Sequence, residues 1–242
     1  MDNERGYAAA RAKVRAMRAL DPDAVRGVIL PSGETIEGNC MTYPRLLAER
    51  IRISTMDDER FHLVNELAQF YAESAPTRAI EQNWMELASG IKDLDKRAHA
   101  LLTIGGRLEA CKAWAEAIQV YQAVTCIEPV DQKMWYFAHN NLGFCLNQLG
   151  RFDEGEAFCR KALKIDPTRS NAYKNTALAL QGQGRFVEAA ELFITGTLTR
   201  PQDGRSLNLL TELLHVHPEI REKMPAIDDE IEKCREAVEG AE

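Results

Sequence analysis

The sequence lacks several patterns that would assign it to a metal protein, a secreted protein or a membrane protein. Its six cysteines are dispersed and contain no Cys-x-x-Cys pair, so the close ligand spacing of a zinc site is absent. No apolar run approaches the ~18 residues of a membrane span, and the amino terminus lacks the apolar core of a secretory signal. Scattered single cysteines suit a reducing compartment. These absences predict a cytoplasmic protein without a metal, a cofactor or a membrane span.

The charge distribution lacks the basic stripe that nucleic-acid binding requires. The formal net charge is −7. Residues 1–97 carry 14 basic and 16 acidic side chains, residues 98–203 carry 11 of each, and residues 204–242 carry 5 basic and 10 acidic. Because a phosphate backbone is bound mainly through clustered Lys and Arg, nucleic acid is not the expected partner. The five histidines are also too dispersed to predict a metal site or a catalytic triad.

What the sequence does contain is an internal repeat. The string GRFDE at 150–154 recurs 34 residues later as GRFVE at 184–188, and Pro167 recurs as Pro201. A third copy lies upstream at an offset of 38 residues, with its extra residues in the linker after Pro129. A period of this length is typical of supersecondary units stacked in series.

Each copy reads as two amphipathic helices joined by a tight turn. The helical stripe of the first copy comprises Leu101, Ile104, Gly105 and Leu108 in one helix and Ala117, Tyr121 and Val124 in the other. Glycine in the turns accepts the left-handed conformation that ends a helix, and the prolines stop the second helices. The pattern predicts loops at 111–113, 149–151 and 183–185, and no strand between residues 98 and 203.

With these positions the sequence resembles the tetratricopeptide repeat family, in three units at 98–131, 136–169 and 170–203. Departures from the family pattern are Leu101 and His139 in place of large aromatics, Thr176 in place of Leu, Gly155 in place of Ala, and Cys159 in place of an aromatic. The resemblance implies an all-α fold, a right-handed superhelical solenoid of antiparallel helix pairs. Small residues at matched places on both helices also predict that Gly143 and Gly155 pack against each other.

The flanking regions are less regular. Residues 1–97 match no recognised family and are predicted to be mostly helical, with a short β-hairpin around Pro31-Ser32-Gly33. The expected helices cover about 3–20, 43–53, 57–73 and a stretch from Pro76 to Gly90. Residues 204–242 read as a fourth, degenerate repeat followed by capping helices, because its second helix loses register at Pro218 and Pro225.

A candidate binding surface follows from the resemblance, which implies that one side of the first helices lines a concave groove. The candidate residues are Phe137, Asn140, Asn141, Phe144, Asn171, Lys174, Asn175 and Arg205, and Asn147 extends the same row. Side-chain amides both donate and accept hydrogen bonds, so a row of them can pair with an extended peptide. We therefore expect Asn140, Asn141 and Asn175 to be at least partly accessible, with Phe144 near them.

These features predict a scaffold or adaptor that binds a protein or peptide segment in the groove and performs no chemistry. One alternative is a secretion-type chaperone that holds a single client protein, and a remote one is an enzyme with its site in residues 1–97. The subgroup of the family that grips heat-shock chaperone C-termini uses a Lys, Asn and Arg set. Only the Asn has a counterpart here, so that partner is disfavoured.

Overall fold

A computed structural model describes residues 24–74, 79, 82–127 and 131–241 of the chain. Contacts divide the molecule into two compact units, with the boundary between residues 130 and 131. The helix predicted over about 3–20, and the prolines Pro76 and Pro129, lie outside the described residues. The predicted division of the chain at 97/98 and 203/204 stays a prediction.

The first unit contains one β-hairpin and a series of helices. The strands are β1 (Arg26–Ile29) and β2 (Thr35–Gly38), and the helices are α1 (Tyr43–Ile53), α2 (Asp57–Ser74), α3 (Trp84–Ser89), α4 (Leu94–Ala110) and α5 (Trp114–Thr125). Helices α1 and α2 confirm the two helices predicted over 43–53 and 57–73. The helix predicted up to Gly90 is wrong at residues 82–83, which are not helical. Asn83 instead caps α3, because its side chain accepts a hydrogen bond from the backbone N–H of Glu86 at 3.1 Å.

The predicted hairpin is present and leans on a helix. Its strands are antiparallel, with Val28 opposite Ile36, and Gly33 makes the turn at a φ of 87°. Val28 and Leu30 are buried. The Arg26 guanidinium lies over the Phe70 ring of α2, 5.4 Å from its centre. A two-stranded sheet is marginal alone, so this packing is what allows it to persist.

The turn between α4 and α5 differs from the turns of the other repeats. Lys112 adopts a φ of 59°, where the two later repeats place Gly150 and Gly184 with φ of 74° and 78°. A residue with a Cβ is strained in this left-handed region. The Lys112 side chain is exposed, so it offers little packing in return.

Replacing Lys112 by glycine is therefore expected to raise the free energy of unfolding by about 1 kcal/mol, since glycine removes the strain. Chemical denaturation followed by circular dichroism measures the change. Lys112→Ala is the matched control, because it removes the same side chain and keeps the Cβ. Equal stability of the glycine and alanine variants would show that the turn is not strained.

In the second unit, all the regular secondary structure of the described residues is helical. They are α6 (Gln132–Gln148), α7 (Phe152–Ile165), α8 (Ser170–Gly182), α9 (Phe186–Thr199), α10 (Arg205–Val216), α11 (Ile220–Lys223) and α12 (Ile227–Glu239). All three predicted loops are confirmed, and the described part of residues 98–203 contains no strand. Helices α7 and α9 end shortly before Pro167 and Pro201, as the proline positions predict.

Helices α6 and α7 approach each other through glycine. A Cβ added at Gly143 would lie 2.8 Å from the carbonyl oxygen of Gly155, and one at Gly155 would lie 3.0 Å from the carbonyl oxygen of Gly143. The predicted contact between these two glycines is confirmed. The Cys159 sulfur occupies the space beside Gly143, which explains why a larger aromatic does not stand at residue 159.

The last helices share one core with α8 and α9. Helix α10 ends before Pro218, α11 is a single turn, and α12 follows Pro225, so the predicted loss of register is confirmed. The cluster that joins these elements includes Phe193, Leu210, Leu214, Ile227 and Ile231. Among the described residues, none of the helices combines the length and the apolar content that crossing a membrane would need.

Candidate protein-binding surface

The first helices of the second unit, α6, α8 and α10, carry all eight predicted site residues. Phe137 and Arg205 are exposed, whereas Asn141, Phe144, Asn171 and Lys174 are partly exposed. We call the surface formed by these six residues, Phe137, Asn141, Phe144, Asn171, Lys174 and Arg205, the first-helix face.

Asn140 and Asn175 do not belong to this surface, and the expectation that they are accessible is wrong. Their exposed fractions are 5% and 4%. The Asn175 amide Nδ2 donates to Oδ1 of Asn140 at 3.0 Å, and Nδ2 of Asn140 donates to Oδ1 of Asn141 at 3.0 Å. The two amides therefore form a hydrogen-bonded seam between α6 and α8. Only Asn141 of the three is accessible, at the outer end of this seam.

Asn147 extends the seam and is also buried. Its Nδ2 donates to the backbone oxygen of Asn175 at 2.8 Å. The Asn147 amide lies against the Cα of Gly155, where an added Cβ would collide with it. The departure of Gly155 from the expected alanine was the sequence signal for this arrangement, since one methyl group less makes room for the amide.

A second cluster lies where α10 begins. The Arg205 guanidinium holds Asp203 by two parallel contacts, from Nε at 2.5 Å and from Nη2 at 2.6 Å, and Nη2 also donates to Oδ1 of Asn171 at 2.9 Å. Burial tends to raise the pKa of Asp203, but the hydrogen bond and charge of Arg205 outweigh it and hold that pKa below its usual value. Asp203 thus neutralises Arg205 and orients it across α8 and α10. Sequence reasoning missed Asp203, because a loop carboxylate carries no periodic signal.

Lys174 differs from Arg205 in having no such partner. Its ammonium group makes no hydrogen bond or ion pair with any residue in the described part of the chain. Burial, reinforced by the positive charge of Arg205, lowers the pKa of Lys174 to about 8. The Asp203 carboxylate attracts the ammonium group without forming an ion pair with it, so Lys174 is a partly buried cation that no carboxylate contacts directly.

Phe137 lies at the other end of the first-helix face. Its ring is 37% exposed. The Arg169 guanidinium covers part of it, 5.0 Å from the ring centre, and Asp166 fixes that arginine through a contact of 2.7 Å. The Phe137 ring also meets the buried ring of Tyr136 edge-on, with centres 5.5 Å apart. Phe137 is therefore a rigid, partly exposed aromatic group of the kind that anchors protein partners.

Comparison with known proteins agrees with this architecture. Residues 136–169 match the family model of the tetratricopeptide repeat, and the second of the three predicted repeats has the same bounds. The chain therefore contains a tetratricopeptide repeat. The predicted all-α class and the helix pair within each predicted repeat are thereby confirmed.

Two relatives match part of this chain. The peroxisomal targeting signal receptor of Eremothecium gossypii is 25% identical over 128 residues, which is 53% of this chain and 21% of the receptor. The small glutamine-rich tetratricopeptide repeat-containing protein 2 of Mycosarcoma maydis is 30% identical over 112 residues, 46% of this chain and 30% of that protein. The chain thus spans less than a third of the length of each relative.

Solved structures share the fold at low sequence identity. MamA from Desulfovibrio magneticus RS-1 superposes with a TM-score of 0.55 at 15% identity, over 78% of this chain and 99% of that one. The Hsp90 co-chaperone Cns1 from Saccharomyces cerevisiae gives a TM-score of 0.50 at 20% identity, over 58% of this chain and 46% of Cns1. At these identities the likeness concerns the helical repeat fold alone.

Proposed function

We propose that this tetratricopeptide-repeat chain is a cytoplasmic scaffold or adaptor that binds a segment of another protein on the first-helix face. The observation that carries the proposal is the exposed Phe137 ring on the same first helices as the accessible amides of Asn141 and Asn171. An aromatic anchor supplies apolar contact area, and amides can pair with the backbone of an extended segment.

The seam of buried amides supports this proposal, because it holds α6 against α8 and so fixes the spacing of the surface residues. A surface that keeps its shape binds a partner with a smaller loss of conformational entropy. The relative from Eremothecium gossypii is named a receptor for a targeting signal. That name describes recognition, and it favours binding over catalysis for this chain.

Affinity purification with the full chain as bait tests the proposal. The test variant carries Phe137→Ala, Asn141→Ala and Asn171→Ala on the first-helix face. The control variant carries Lys164→Ala, Glu191→Ala and Thr195→Ala, which are exposed positions on the second helices α7 and α9. The control positions should change stability by only about 0.5 kcal/mol. Water can replace the hydrogen bonds that Asn141 and Asn171 accept, so the test variant should also fold, and circular dichroism checks both.

We expect a stoichiometric protein partner to be retained by the wild type and the control and to be depleted about tenfold or more by the test variant. Quantitative mass spectrometry of the cross-linked eluates measures the depletion. If the test variant retains the same partners as the control, the first-helix face is not the binding surface.

A further inference from the structure

The cations on and beside the first-helix face differ in whether they form ion pairs. Arg205 is paired with Asp203 through two contacts, and Arg169 is paired with Asp166 at 2.7 Å. Lys174 lies between these pairs in the sequence and contacts no carboxylate among the described residues at ion-pair distance. It is therefore the cation of this surface that remains available to a partner.

The charged groups around Lys174 offset its charge only in part. On α7 the Cys159 thiol interacts with Lys174, and burial raises the pKa of that thiol, so it stays neutral. Arg205 of α10 repels the ammonium group, and Asp203 attracts it more weakly while its oxygens are held by Arg205. The seam residues Asn140 and Asn175 are neutral amides. The surroundings of Lys174 thus carry a local positive excess on a chain whose net charge is −7.

We propose that the first-helix face recognises an acidic side chain, aspartate or glutamate, within the bound segment, and that Lys174 is the residue that receives its carboxylate. This inference rests on the proposed function and names the chemistry of the partner. A partly buried ammonium group is unfavourable alone and becomes favourable when a carboxylate pairs with it. Asn171 lies three residues earlier on α8, and its amide can donate to the same carboxylate, since only its oxygen is held by Arg205.

Two pools of blocked, fluorescent peptides provide the probe. Both have randomised flanks, and the central residue is Asp or Glu in one pool and Asn or Gln in the other. Retention of each pool is measured on the immobilised full chain, as wild type, Lys174→Met, Lys174→Arg and the matched control Lys164→Met. Lys164 is an exposed lysine of α7 outside the first-helix face. Circular dichroism checks that each variant is folded.

We expect the wild type and Lys164→Met to retain the acidic pool about tenfold better than the amide pool at neutral pH. Lys174→Met should lose this preference, and Lys174→Arg should keep it. The wild-type preference should also fall as the pH rises from about 7 to about 9, because Lys174 loses its proton in that window, whereas Lys174→Arg should show no such fall.

The outcomes separate the two proposals. If both pools are retained equally and are released by the Phe137, Asn141 and Asn171 triple variant, the binding surface stands and the acidic partner is wrong. If neither pool is retained, the acidic partner is wrong, and the affinity purification with the triple variant alone decides the proposed function. A third pool has a free C-terminus and tests whether Lys174 binds a main-chain carboxylate. Retention of that pool alone would overturn the assignment to an acidic side chain.

Discussion

Replacing Gly143 by leucine is expected to lower the free energy of unfolding by about 3 kcal/mol or more. The added side chain meets the backbone of Gly155 at 2.8 Å and the Cys159 sulfur at a still shorter distance, so α6 and α7 must move apart. Backbone cannot give way as a flexible side chain does. The sequence alone predicts a cost of about 1–3 kcal/mol from overpacking, and the contact with backbone places the effect at or above the top of that range.

Urea denaturation followed by circular dichroism measures this change. Gly204→Ala is the control in the same unit, because a Cβ at Gly204 meets no described atom within 4 Å. The control should lie within about 0.5 kcal/mol of the wild type. An unchanged unfolding midpoint for Gly143→Leu would contradict the close approach of the two helices.

The second large effect is expected at the buried amides. Asn175→Ala should lower the free energy of unfolding by about 2–3 kcal/mol, because Oδ1 of Asn140 loses its donor inside the protein and cannot recover one from bulk water. Asn141→Ala should cost less than about 1 kcal/mol, since this side chain is partly exposed and water can replace it at Nδ2 of Asn140.

Comparing the two variants tells whether the amides stabilise the contact between α6 and α8 or are available to bind a partner. Thermal melting and urea denaturation of both proteins measure the difference. If Asn175→Ala is as stable as Asn141→Ala, the seam contributes nothing and the amides of α8 are free to serve a partner. Because Asn175 is buried, contrary to the sequence-based expectation, only Asn141 of the two is suited to testing binding without unfolding.

The sequence by itself determined the helix pairs, their loops and the hairpin. Apolar residues at helical spacing define the stripe by which each first helix packs on its own second helix, and Gly150 and Gly184 mark the turns that need a positive φ. The contact of Gly143 with Gly155 follows from the same local logic, because both residues lie on stripes that a single helix pair brings together. Periodicity and turn chemistry act over a few residues, and they are readable without a structure.

Only the tertiary structure decided which amides are accessible and which basic side chain of the first helices forms no ion pair. A first helix in a stacked series contacts neighbours on two sides, and the second contact, between α6 and α8, buries Asn140 and Asn175 although they lie off the first stripe. The partner of a surface charge depends on residues of a neighbouring helix pair, as Arg205 shows by donating to Asn171 of α8. Lys174 and Arg205 are both basic residues on first helices, yet the loop carboxylate of Asp203 forms an ion pair with Arg205 and not with Lys174. Packing between successive helix pairs sets which side chains are buried and which charges form ion pairs. No local sequence pattern encodes that geometry.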